Sequence, residues 1–109
     1  MWSVEFASEI SKKEFLNLPK SLLARGIKLL DLLEIRGNTL GEPYTKSLEN
    51  GLFEIRIKAE DGIARSIYCY EGGRRIIILL TFVKKTQKTP GSVLDLAKQR
   101  LKEFKNGNH

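Results

Sequence analysis

The chain has 109 residues, enough for one domain and one modest core, with 41% hydrophobic and 29% charged residues, an ordinary balance for a soluble globular protein. Apolar runs fall short of the ~20 residues of a membrane helix, the opening residues lack a signal-peptide pattern, and the single Cys69 excludes an internal disulfide or a multi-cysteine metal site; the cytoplasm is the expected setting. The net charge of +6 is unevenly placed: residues 1–50 hold seven Lys/Arg and seven Asp/Glu, whereas residues 51–109 hold twelve and six. That asymmetry points to a polyanionic partner, RNA or DNA first, with an acidic protein surface equally permitted.

Trp2, Val4 and Phe6 alternate with Ser3 and Glu5, which predicts a short strand with one buried face. Ser8 to Leu18 reads as a first helix with Ile10, Phe15 and Leu18 apolar. Pro19 then opens a second helix over about Lys20 to Ile35. Its stripe Leu22, Gly26, Leu29, Leu33 and the adjacent Leu23, Ile27, Leu30 exceed the usual ~100° apolar arc, so this helix is expected to touch both its neighbouring helix and a sheet. Gly37-Asn38 stops it, and residues 38–50 read as a loop.

A three-stranded meander is predicted next. Phe53, Ile55 and Ile57 alternate with Glu54, Arg56 and Lys58, Glu60-Asp61-Gly62 turns, Arg65 to Tyr70 returns, Glu71-Gly72-Gly73 turns again, and Arg75 to Phe82 follows. The run Ile76 to Leu80 is apolar on both faces and is expected to be interior. Ser92 and Asp95 suit a capping box for a last helix with the stripe Leu94, Ala97, Leu101, Phe104, while Lys98, Arg100, Lys102 and Lys105 point elsewhere. Residues 106–109 read as a frayed tail of the single domain 1–109. The fold class is α+β: strand, helical hairpin, antiparallel meander and terminal helix, with about four strands.

The chemistry concentrates on the meander and its exit. Glu54, Arg56 and Lys58 share one strand face, Arg65 sits on the next strand, and Lys84, Lys85 and Lys88 follow the last one. Where these faces coincide, cations line one concavity, and like charges that close gain most when an anion arrives among them. The competing structural reading is ion pairing of Glu54 with Lys58 or Arg65. Arg65 and Lys84 are expected at solvent-facing positions. The only histidine is His109, and P-loop, nucleophile-elbow and zinc spacings are absent. Cys69 suits a small buried hydrophobe. Tyr68 and Tyr70, opposite Arg65 on their strand, form with Glu54 a reserve acid–base set.

The ordered set Phe15-Leu16-Asn17-Leu18-Pro19, Leu48 to Arg56, Arg65-Ser66-Ile67-Tyr68, Leu79 to Pro90 and Ala97-Lys98-Gln99-Arg100 resembles the RelE/HigB/ParE toxins of type II toxin–antitoxin systems, most closely their phage-derived HigB-like branch. The resemblance implies a RelE-like fold with the first strand beside the last. It implies a toxin that cleaves mRNA in the ribosomal A site without metal or cofactor, by attack of a ribose 2′-hydroxyl on the adjacent phosphate. Its implied partners are ribosome, mRNA and a helix-turn-helix, HigA-like antitoxin in a possible hetero-oligomer, with no membrane. Carried over by position, Arg56, Arg65, Lys84 and Lys85 become the catalytic cations, and Lys58, Lys88 and Glu54 the RNA-binding set, Glu54 doubling as a candidate base. RelE and HigB proteins often place a Tyr or His near the chain end in the site; here the last helix offers Phe104. Two other readings stay open: a ParE-like gyrase inhibitor without chemistry, and a non-catalytic RNA-binding module.

Overall fold

The computed structural model describes residues 1–84 and 88–107. Its elements run β1 (Ser3–Phe6), α1 (Glu9–Leu16), α2 (Lys20–Arg36), a 3-10 turn (Gly37–Thr39), β2 (Thr45–Ser47), β3 (Phe53–Ala59), β4 (Gly62–Glu71), β5 (Arg75–Val83) and α3 (Gly91–Asn106). The α+β class, helical hairpin, meander and terminal helix are those the sequence predicts. The sheet has five strands rather than four, in the order β1-β5-β4-β3-β2, and it is mixed, because β1 runs parallel to β5. The added strand, β2, lies inside the predicted loop and pairs antiparallel with β3. Three polar residues carry no apolar alternation that could announce it.

Ser8 caps α1, its side chain accepting from the Ser11 amide at 3.2 Å. Ile10, predicted for the apolar face, is 63% exposed, and Ser11 takes the inward place, donating to the Leu79 carbonyl at 2.6 Å. In α2, Leu22, Gly26, Leu29 and Leu33 are buried as expected. A Cβ at Gly26 would stand 3.0 Å from the Phe15 ring and 3.3 Å from Ile57, so glycine lets α1 and the sheet close on α2 together. Gly37, at φ 53°, ends the helix where any Cβ would overlap the Trp2 indole.

Two apolar clusters occupy the two faces of the sheet. Phe15, Leu22, Leu29, Leu33, Ile55, Ile57, Tyr68, Ile76 and Ile78 fill the side under α1 and α2. Ile67, Cys69, Ile77, Leu79, Leu80, Ala97 and Phe104 fill the side under α3. The two-residue alternation of β5 slips once: Ile67 pairs with Leu80 but Tyr68 pairs with Ile78, leaving Leu79 as a bulge. Its carbonyl accepts from both Ser11 Oγ and Arg100 Nη1, and the same Arg100 forks onto Glu14 at 2.7 and 2.8 Å. Arg100 therefore joins α3 to α1 and β5, where the sequence pattern had it pointing elsewhere. The predicted capping box does not form either. Pro90, extended at φ −62° and ψ 149°, starts α3 at Gly91, so Ser92 falls inside the first turn with no side-chain cap bond.

Candidate functional site

Strand register assembles the site in cross-strand rows. Arg56 lies directly across from Arg65, and Arg65 across from Phe82. One row outward, Lys58 faces Ile63, whose carbonyl receives the Lys84 amide at 2.7 Å. One row inward, Lys46 of β2 faces Glu54, and Glu54 faces Ile67. The bulge at Leu79 matters here. It turns the later part of β5 over, so that Leu80, Phe82 and then Lys84 fall on the same sheet face as Arg65. This is the α3 side of the sheet, and Thr89 and Leu94 at the start of that helix share a hollow with Glu54 and Arg65.

Arg56, Lys58, Ile63, Arg65 and Lys84 line an open cleft of about 200 Å3. The sequence-predicted Arg56, Lys58, Arg65 and Lys84 thus come together. Lys88 is exposed and lines an adjoining cavity with Arg65 and Glu54. Lys85 and His109 lie outside the described residues.

Glu54 is the exception to a solvated charged face, since it is fully buried at 0% exposure. Its carboxylate meets Arg65 Nη1 at 3.0 Å, Arg56 Nε at 3.3 Å and the Thr89 hydroxyl at 2.8 Å. Of the two pairings foreseen for Glu54, the one with Arg65 forms, and Arg56 takes the place given to Lys58. Arg65 itself is 6% exposed, which corrects its expected solvent-facing position. A buried guanidinium is tolerated here because a buried carboxylate faces it and the Thr89 hydroxyl accepts from the same Nη1. Ion pairing therefore fixes the floor of the cleft, and Lys58 and Lys84 stand at its rim.

Thr89 carries no role in the sequence reading. It is 7% exposed, accepts from Arg65 Nη1 at 2.7 Å and donates to Glu54. It thereby holds the segment after β5 against the sheet. A lone threonine before a proline offers no signal for that. Lys46 was likewise missed because β2 was.

The electrostatics follow from this crowding. Partial burial lowers the Lys84 ammonium below the ordinary lysine range, Arg65 adds to the effect along with Arg56 and Lys58, and Glu54 opposes it. Tyr68 and Tyr70 pack with Phe53 on the opposite, α2-facing side, so the reserve acid–base set does not assemble. Burial pushes both phenols up, Tyr68 far above the ordinary tyrosine range. Burial also raises the Cys69 thiol to about 11, Glu71 adding to it, in keeping with an inert buried cysteine. Among the described residues no group of His, Cys, Asp and Glu can hold a metal, and no helix is long and apolar enough to cross a membrane.

The structure is thus a small α+β domain with cations gathered on an open sheet face. Residues 13–102 match the phage-derived protein Gp49-like family (DUF891), and the chain belongs to that family, one of RelE-like, toxin-type proteins. No curated protein matches the chain.

Proposed function

We propose that the chain is the toxin of a toxin–antitoxin pair and cleaves mRNA bound in the ribosome. The observation that carries this reading is the cleft itself: Arg56, Arg65, Lys58 and Lys84 converge across three strand segments, and one buried carboxylate holds the two arginines. Surface lysines kept for solubility do not need a buried ion pair to aim them. In the proposed reaction the scissile phosphate enters the cleft. The 2′-hydroxyl of the preceding ribose gives its proton to solvent water in the open cleft, and its oxygen bonds to phosphorus. The bond to the 5′-oxygen breaks, leaving a cyclic phosphate, and the leaving oxygen takes up a proton. Arg56 and Arg65 meet the negative charge that builds on the phosphorane, and such preorganised donors are worth ~10²–10³ in rate each. In this reading Lys84 at the rim, whose proton affinity is lowered, gives the proton to the leaving oxygen. Glu54 orients the guanidinium groups. Lys88, and Lys85 in the same basic stretch, add attraction for the RNA chain. A HigA-like antitoxin is the proposed partner that silences the cleft.

The experiment compares one mRNA alone and in a programmed ribosome at equal salt, with wild type and Lys84→Ala. Cleavage should be efficient only on the ribosome, where the A site aligns the 2′-hydroxyl with the phosphate, and should fall at least 100-fold in the variant. Equal cleavage of free RNA overturns ribosome dependence. Undiminished protein synthesis in cells making folded wild-type protein overturns the nuclease reading, and loss of gyrase supercoiling would then favour the ParE-like one.

A further inference from the structure

The basic cleft does not stand alone. Beside it lies a larger cavity of about 350 Å3, bounded by Leu48 and Glu49 before β3, Leu94 on α3, Lys46 on β2 and Lys88, with the buried Glu54, Arg65 and Thr89 also lining it. Arg65 lines both hollows, so cleft and cavity adjoin at one arginine. Their chemistry differs. The cleft is walled by cations, whereas the cavity adds the aliphatic side chains of Leu48 and Leu94 and the Glu49 carboxylate to its polar lining. Leu94 is half-buried yet, among the described residues, belongs to neither apolar cluster, so its side chain serves the cavity rather than the core. The Lys98–Glu49 ion pair at 2.6 Å bridges α3 to the segment before β3 beside it. The polar lining is a built one: Glu54 is fully buried, and Arg65 and Thr89 nearly so.

An anion cleft joined through one arginine to an apolar-walled cavity has the shape of a nucleotide. We infer that the cavity between Leu48 and Leu94 seats the base of the nucleotide whose phosphate lies in the basic cleft, an inference that rests on the RNA reading above. The aliphatic walls sandwich the ring faces, and burial there grows with ring area, which favours purines over pyrimidines. Lys46 can only donate hydrogen bonds and the Glu49 carboxylate can only accept them, so a base edge that meets both must carry an acceptor and an N–H donor. Base recognition in the cavity would then set where along the chain the phosphate is cut.

The test uses 2′-O-methyl RNA octamers, which carry phosphates and bases but cannot undergo 2′-hydroxyl attack, against an octamer of equal charge with abasic sugars. Binding is read by fluorescence anisotropy at low salt. Wild type should bind the purine octamer at least tenfold tighter than the abasic one. Leu94→Trp, which fills the cavity, should lose that advantage and keep its affinity for the abasic chain. Thermal melting checks that this variant folds; should it not, Lys46→Ala on exposed β2 is the second variant, with the same loss expected. Equal binding of base-bearing and abasic chains by wild type, or an advantage that survives in the folded variants, overturns the base site alone. No binding of either chain overturns the RNA reading and the base site with it.

Discussion

At the scale of the residue, burial separates cations that look alike in the sequence. Arg65 and Glu54 are a buried pair, so removing one partner leaves an uncompensated charge. Arg65→Ala should therefore destabilise the fold by about 3–5 kcal/mol, as the urea midpoint would show. Loss of toxicity in that variant cannot be assigned to chemistry. Lys84 is the cleaner probe, and its sign runs the other way. Its proton affinity is lowered in the folded chain, so its charge opposes folding at neutral pH and is relieved as pH rises through the folded value. Lys84→Gln should lose activity yet melt at a higher temperature than wild type at pH 7, and the gap should narrow as pH approaches the ordinary lysine range. A gap that does not change with pH would remove Lys84 from the crowded cleft. Thr89 makes a third case. Thr89→Val keeps the shape but deletes the hydroxyl shared by Glu54 and Arg65. Activity should fall at least tenfold with binding of the abasic RNA chain little changed, and Thr89→Ser should restore it. A failure of serine to rescue would mark Thr89 as packing only.

Elements show why the strands and helices were legible and their junctions were not. Alternation in β3 and the α2 stripe depend on nearest repeats, so they are readable residue by residue. The burial of Glu54 depends on Arg65 and Thr89, 11 and 35 positions away, and alternation alone places a charged face in solvent. The Leu79 bulge is equally non-local. It is stabilised by Ser11 and Arg100 from opposite ends of the chain, yet it decides which face carries Lys84. β2 had only Thr45-Lys46-Ser47 to announce it, and with it went Lys46. The capping box failed because Pro90 had already set the entry backbone. The α2 terminus illustrates a junction that composition did signal. Gly37 sits at φ 53° and ψ −130°, a region essentially restricted to glycine, with the Trp2 indole against it. Gly37→Ala combines that strain with overpacking and should cost about 2–4 kcal/mol in denaturant unfolding. A change under half that would mean that Trp2 moves aside easily and does not anchor β1.

Across the whole molecule, the charge imbalance and the two-sided core describe one division of labour. The α1 and α2 side of the sheet carries one apolar cluster and the α3 side the other, and four cations of the second half, Arg56, Lys58, Arg65 and Lys84, gather in one cleft near the start of α3. A surface of that kind binds a polyanion by displacing counterions, so affinity must fall with salt. For single strands each phosphate contact contributes a slope of about −0.7 in log K against log salt. Lys58 is exposed at the rim and shares the cleft with Lys84, so Lys58→Ala should flatten that slope by about one such step. Filling the cavity beside the cleft should behave differently. Leu94→Trp removes an uncharged contact, so it should weaken binding of base-bearing RNA without altering the slope. The measurement is the affinity of one purine octamer over a range of salt for wild type and both variants. A slope unchanged by Lys58→Ala would take Lys58 off the phosphate path. A slope altered by Leu94→Trp would mean that the cavity holds phosphate rather than base, and that the two hollows bind the backbone of the RNA in succession.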